Sequence, residues 1–178
     1  MRTIQKVKIE NLTENSFQPY GYPIDSGNRS PDFKGIKAEL WRTPFEIEGT
    51  TELGFIRYGF QQLRFTKLER HFNVTQSFIP LGNKPSLMVV APAKEPIDRN
   101  IIPKPEEVRA FLIDGSAGIT LKKATWHALD RFPLYPPHVD FVLITSKETT
   151  DELQRKENKL TQTVDYEERY GVSFELTR

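Results

Sequence analysis

The chain has 178 residues, 25 Lys and Arg against 24 Asp and Glu, a formal net charge of +1 and no cysteine. That balance gives no electrostatic case for nucleic acid or an anionic membrane, and the missing thiols exclude disulfides, thiolate metal sites and a cysteine nucleophile. The length suits one domain spanning 1–178 with its own buried core. The opening Met1 to Lys8 lacks the apolar stretch of a secretory signal, and the longest apolar run, Leu87 to Ala91, is too short to cross a bilayer. A cytoplasmic protein with no membrane partner is therefore expected.

Residues 12 to 18 are predicted as a short helix, with Thr13 its N-cap and Phe17 facing the core. The segment from Tyr20 to Gly35, dense in Gly, Pro, Asp, Asn and Ser, reads as a long loop. Leu53 to Phe65 and Thr75 to Pro80 carry the aromatic and β-branched residues of strands, with a turn at Gly82-Asn83-Lys84-Pro85. Leu87 to Ala91 has the apolar composition of a buried strand. Further strands are expected over Val108 to Ile113, ended by Asp114-Gly115, and over Gly118 to Leu121, Thr125 to Leu129 and Val139 to Thr145. Short strands with regular turn signals point to an all-β sandwich or barrel. The tail changes character from about residue 147. Thr149 to Leu160 is charged, with Asp151 as a cap; a helix carrying Tyr166 and Tyr170 should stop at Gly171 and lead into a terminal strand holding Phe174.

Three histidines are present: His71, His127 and His138. Glu69 and His71 are two apart, so on a strand both project from one face. Two imidazoles with oxygens from Glu69 and Gln76 would suit a first-row metal. The other reading makes Glu69-Arg70 a strand-end ion pair and His71 a core histidine. Gln76 either meets a substrate through its amide or is satisfied by backbone. Arg109, and after it Arg57, are the candidates for a carboxylate clamp, since a guanidinium fork takes a carboxylate bidentately; a solvent-facing strand position is the alternative for each. Lys122 is either an acid or base with a pKa shifted by burial or part of a solvated Lys-Lys turn. Trp126 reads as packing beneath the site and His138 as a turn residue. No phosphate-binding glycine loop is present.

Glu69-Arg70-His71, Gln76 and Gly82, with Trp126-His127 far downstream, resemble the two sequence motifs of cupins. The wording around them is more specific. Leu68-Glu69-Arg70-His71, Thr75 to Leu81, Val108-Arg109-Ala110-Phe111, Asp114-Gly115 with Gly118, and Thr125-Trp126-His127 are similar to the signature of the ureidoglycolate lyase family, and so is the opening Leu12-Thr13-Glu14 with Phe17 and Tyr20-Gly21. These blocks run from about residue 12 to Ile144. The resemblance implies a cupin-like double-stranded β-helix, a jelly-roll barrel with short helices near both termini and a C-terminal extension from about 147. It implies a homodimer that cleaves (S)-ureidoglycolate, a small carboxylate, to glyoxylate and urea in allantoin breakdown. On it, Glu69, His71, Gln76 and His127 are the expected ligands of a divalent metal (nickel, manganese or zinc). Arg109, Arg57 and Gln76 are the expected substrate contacts, and Glu69 and Lys122 the expected catalytic pair. The family pattern has His where this chain has Lys122, and a second His where it has Ala128. That departure keeps two alternatives open: a related cupin enzyme acting on another small hydroxy or amido acid, and a non-catalytic small-molecule-binding cupin.

Overall fold

A computed structural model describes residues 2–94, 97–155 and 159–178. In chain order these form β1 (Thr3–Asn11), α1 (Glu14–Phe17), β2 (Gly21–Ile24), a small hairpin of β3 (Phe33–Lys34) and β4 (Glu39–Leu40), β5 (Thr51–Gly59), β6 (Arg64–Phe65), β7 (Lys67–His71), β8 (Gln76–Leu81) and β9 (Ser86–Ala91). There follow β10 (Arg109–Ile113), β11 (Gly118–Leu121), β12 (Trp126–Ala128), β13 (Phe132–Pro133), β14 (His138–Ser146), α2 (Lys147–Arg155), β15 (Thr161–Asp165), α3 (Tyr166–Tyr170) and β16 (Val172–Thr177).

Two sheets face each other. The larger runs β15-β7-β12-β9-β10-β1-β16-β6, with β13 also on β9; the smaller runs β2-β11-β8-β14-β5. Both are strongly curled into a half-barrel, an all-β cupin-like fold. Strand alternation sorts the side chains into two apolar layers. Phe78, Met88, Val90, Phe111, Ile119 and Phe141 fill the space between the sheets. Leu68, Leu87, Val89, Trp126, Phe132 and Phe174 lie on the far side of the larger sheet, under the C-terminal tail. Because β9 meets apolar neighbours on both faces, Ser86 to Ala91 is buried throughout, which is why that run shows no alternation in the sequence.

The helix at Glu14–Phe17 is capped by Thr13, whose hydroxyl accepts from Ser16 N at 3.1 Å, and Phe17 is fully buried edge-on against Phe111. Two expectations need correction, and one strand lies where none was expected. The predicted loop at Tyr20 to Gly35 contains a strand: Gly21 to Ile24 pair antiparallel with Gly118 to Leu121. Gly21 is required there, because a Cβ on it would stand 2.0 Å from the Thr120 carbonyl oxygen. Asp151 does not cap the helix in the tail. That helix starts four residues earlier, Ser146 Oγ accepts from Thr149 N at 3.3 Å, and Asp151 pairs with Lys147 instead; residues 156–158 of the predicted span lie outside the described ones. The stretch before the aromatic helix is a strand, β15, whose alternation was hidden by its polar composition at a sheet edge. The end of the chain matches expectation. Gly171 closes α3 in the left-handed conformation (φ 66°), and Phe174 stacks on Phe65 with ring centroids 4.8 Å apart. Residues 161–177 are thus built into the larger sheet, β15 against β7 and β16 against β1.

Candidate active site

Leu68 packs into the outer layer and Arg70 lies over the Trp126 ring, so alternation along β7 turns Glu69 and His71 into the space between the sheets. On the neighbouring strand β12, Trp126 and Ala128 face the outer layer and His127 faces inward, directly opposite Glu69 in the ladder. Two segments nearly sixty residues apart thereby put one carboxylate and two imidazoles together. Glu69 Oε1 lies 3.5 Å from His127 Nε2 and 3.8 Å from His71 Nε2, and the two imidazole centroids are 5.1 Å apart. One donor atom from each of the three residues falls within 4.8 Å of the others.

The tight turn before β12 fixes this geometry. Ala124 adopts a left-handed conformation (φ 60°), and its N–H donates to the His71 carbonyl at 2.7 Å. The Thr125 hydroxyl donates to Tyr20 O at 2.9 Å, and Lys122 N donates to the same carbonyl. His127 Nδ1 is 3.2 Å from Thr125 O. A carbonyl can only accept, so Nδ1 carries the hydrogen there and Nε2 points its remaining valence at Glu69. A proton or a cation therefore has to sit between Glu69 and His127.

The electrostatics favour a fixed anion beside a neutral His71 imidazole. Burial alone would raise the Glu69 carboxyl, but the hydrogen bond to His127 and the charges of His127, His71 and Arg131 bring it down to about 2. That suits a permanent anion. Burial, helped by the charges of His127 and Arg131 against the pull of Glu69, lowers His71 to about 3. Its imidazole is neutral with a free lone pair. Neither ring nitrogen of His71 has a hydrogen-bond partner, nor does Gln76 Oε1, although all three are buried. Unpaired buried polar atoms of this kind cost about 1–3 kcal/mol each. The Glu69, His71 and His127 donors, within 4.8 Å of one another, have the chemistry to hold a divalent cation.

His71, Gln76, Lys122 and His127 line one tightly closed crevice together with Val74, Leu121 and Thr125. Gln76 reaches it from the start of β8, its Nε2 donating to Thr145 Oγ1 at 3.3 Å. Lys122 is at its edge, with Nζ donating to the Gln18 carbonyl and lying 5.1 Å from the centre of the Tyr22 ring. The two arginines named from sequence are elsewhere. Arg57 is on the outward face of β5, held bidentately by Asp140 at 2.7 and 2.9 Å. Arg109 is half-exposed and pairs with Glu10 at 3.3 Å. A larger apolar hollow of about 620 Å³, lined by Ile9, Leu63, Leu112, Leu134 and Tyr135 among others, holds no carboxylate or imidazole. The Glu69 cluster is therefore the candidate site.

Two inward residues were not singled out from sequence. Tyr58 on β5 is partly buried, and burial raises its phenol. Arg131 is 2 % exposed between β12 and β13, and its charge acts on both Glu69 and His71. Asp130-Arg131 in a Pro-rich loop looks like a surface pair, and no local pattern distinguishes it.

A cupin-like half-barrel with an interior carboxylate–imidazole cluster is the scaffold of a small-molecule enzyme. A family profile described as ureidoglycolate lyase matches residues 4–166. Among curated proteins, the ureidoglycolate lyase of Pseudomonas aeruginosa (strain PAO1) is 33 % identical over 135 residues, covering 71 % of this chain and 75 % of its own length. That of Azotobacter vinelandii is 29 % identical over 130 residues, covering 68 % and 74 %. The chain belongs to the ureidoglycolate lyase family.

Proposed function

We propose that the protein cleaves ureidoglycolate to glyoxylate and urea, as the names of its relatives indicate. The observation that carries this reading is the cluster of Glu69, His71 and His127, whose donor atoms lie within 4.8 Å of one another and include two unpaired imidazole nitrogens. Ureidoglycolate is a carbinolamide: its hydroxyl proton leaves, the carbonyl forms, the C–N bond breaks and the urea nitrogen takes a proton. Glu69, His71 and His127 would hold a divalent ion, for which nickel, manganese and zinc suit the donor set. When bound, the ion lowers the pKa of the substrate hydroxyl. Glu69, the anion of the cluster, stands ready to take the hydroxyl proton in passing. Gln76 offers the ureido N–H groups an unpaired carbonyl oxygen, and Lys122 at the edge of the cavity returns a proton to the departing nitrogen. The homodimer expected from the family belongs to the same reading; exposed Leu53 and Phe55 on the outward face of the smaller sheet support it.

A second reading, the same scaffold acting on another small hydroxy or amido acid, is favoured by one observation. Lys122 stands where the resemblance leads to a histidine being expected, and its ammonium is already engaged by the Gln18 carbonyl. Turnover assays on ureidoglycolate beside a panel of such acids separate the two. Release of urea and glyoxylate in equal amounts, above spontaneous decay, is expected; turnover of a panel acid alone would replace the first reading by the second.

A further inference from the structure

The proposed reaction needs a cation for the substrate's carboxylate, and neither arginine named from sequence offers an unpaired fork to the interior. A third one does. Phe132 packs into the outer layer, opposite Leu87 in the ladder, so alternation turns Arg131 inward. There its guanidinium lies 4.1 Å from the centre of the Phe78 ring and 5.7 Å from that of Tyr58. One nitrogen is spent locally: Nη1 donates to Ala128 O at 2.6 Å and to Asp130 O at 3.1 Å. Nε has no partner although it is buried, and both hydrogen bonds that the guanidinium makes among the described residues come from Nη1. No carboxylate there lies within 4.0 Å of this cation.

The unused edge is the one that matters. Nε and Nη2 lie on the same side of a guanidinium and take a carboxylate side-on with two hydrogen bonds. Elsewhere in this protein the same edge does so: Arg57 Nε and Nη2 hold the two oxygens of Asp140 at 2.7 and 2.9 Å. A buried guanidinium without its carboxylate is costly unless a partner arrives. Two carbonyls and an aromatic face already fix the orientation of the fork, so little rotamer entropy remains to be lost on binding.

We propose that Arg131 is the carboxylate clamp of this enzyme, binding the substrate's carboxylate through its Nε/Nη2 edge in the interior it shares with Glu69 and His71. The inference rests on the lyase reading for the identity of the carboxylate. It makes Arg131, and not Arg109 or Arg57, the residue that separates a carboxylate-bearing carbinolamide from a neutral one.

The test compares wild type, Arg131→Met, Arg131→Lys and Arg109→Met on ureidoglycolate and on hydroxymethylurea, the carbinolamide without the carboxylate. Glyoxylate binding is measured by titration calorimetry, and folding is checked by thermal unfolding. Loss of a bidentate charge-assisted contact predicts that Arg131→Met raises KM for ureidoglycolate and weakens glyoxylate about tenfold to a hundredfold. Hydroxymethylurea turnover should move less than threefold, which a merely structural role would not reproduce. Arg131→Lys keeps the charge without the fork and should fall between; it decides the matter should the Met variant not fold. An unchanged KM in a folded Arg131 variant, equal losses on both substrates, or the larger effect from Arg109→Met would overturn the clamp while leaving the lyase reading in place. Should wild type release no urea from ureidoglycolate, the lyase reading fails. Glyoxylate binding by wild type that Arg131→Met abolishes would then uphold the clamp, and equal or absent binding would overturn it.

Discussion

His71→Leu should stabilise the metal-stripped protein while disabling its site. In wild type the imidazole is 4 % exposed and neither nitrogen is hydrogen-bonded. Two such atoms cost about 1–3 kcal/mol each, and a leucine of similar volume replaces them with apolar contact at a repacking cost below about 1.5 kcal/mol. The expected net gain near neutral pH is about 1–3 kcal/mol, an increase in Tm of about 2–10 °C. The difference should widen in acid. His71 titrates near 3 in the fold and near 6.5 when unfolded, so as pH falls through 6.5 the unfolded chain takes up the proton first and wild type loses stability. From about pH 7.5 to about pH 5 that loss is about 2 kcal/mol, and the leucine variant escapes it. Urea unfolding of both chelated proteins at the two pH values measures this directly. A variant less stable than wild type by more than about 1 kcal/mol, or a pH-independent difference, would refute the claim that His71 is held in place for a ligand.

Gly21→Ala brings a Cβ to 2.0 Å from the Thr120 carbonyl oxygen and should cost roughly 2–3 kcal/mol. Because Tyr20 O holds Lys122 N and the Thr125 hydroxyl, turnover should fall with stability, read by chemical denaturation and initial rates. Glu152 accepts from the backbone N–H groups of Lys159, Leu160 and Thr161 and from the Thr161 hydroxyl, tying α2 to the edge strand β15. Glu152→Ala strands those donors and should cost roughly 2–3 kcal/mol, with increased hydrogen exchange at Thr161 to Asp165.

Much of the barrel was legible because its strands carry local signals. Gly118 to Leu121 and the tail aromatics Tyr166, Tyr170 and Phe174 announce a strand, a capped helix and a terminal strand from composition and spacing alone. Glu69 and His71 share a face for the same reason. Gly21 to Ile24 was not legible: Gly and Pro are turn residues, and only the ladder with β11 makes this segment a strand. Nor does any local pattern show that His127 lies opposite Glu69, since that register is set by the pairing of β12 with β7. Arg131 is hidden for a related reason, its inward direction being fixed by where Phe132 packs across the sheet.

The most direct test of the central claim is urea and glyoxylate release from ureidoglycolate by wild type and His127→Ala, each stripped of metal and then given nickel, manganese or zinc. Restored release in wild type alone, with the variant folded and inactive under every metal, is the predicted result. Full release by His127→Ala, or by wild type after complete chelation, would contradict the assignment of the Glu69–His71–His127 cluster as a metal-dependent active site.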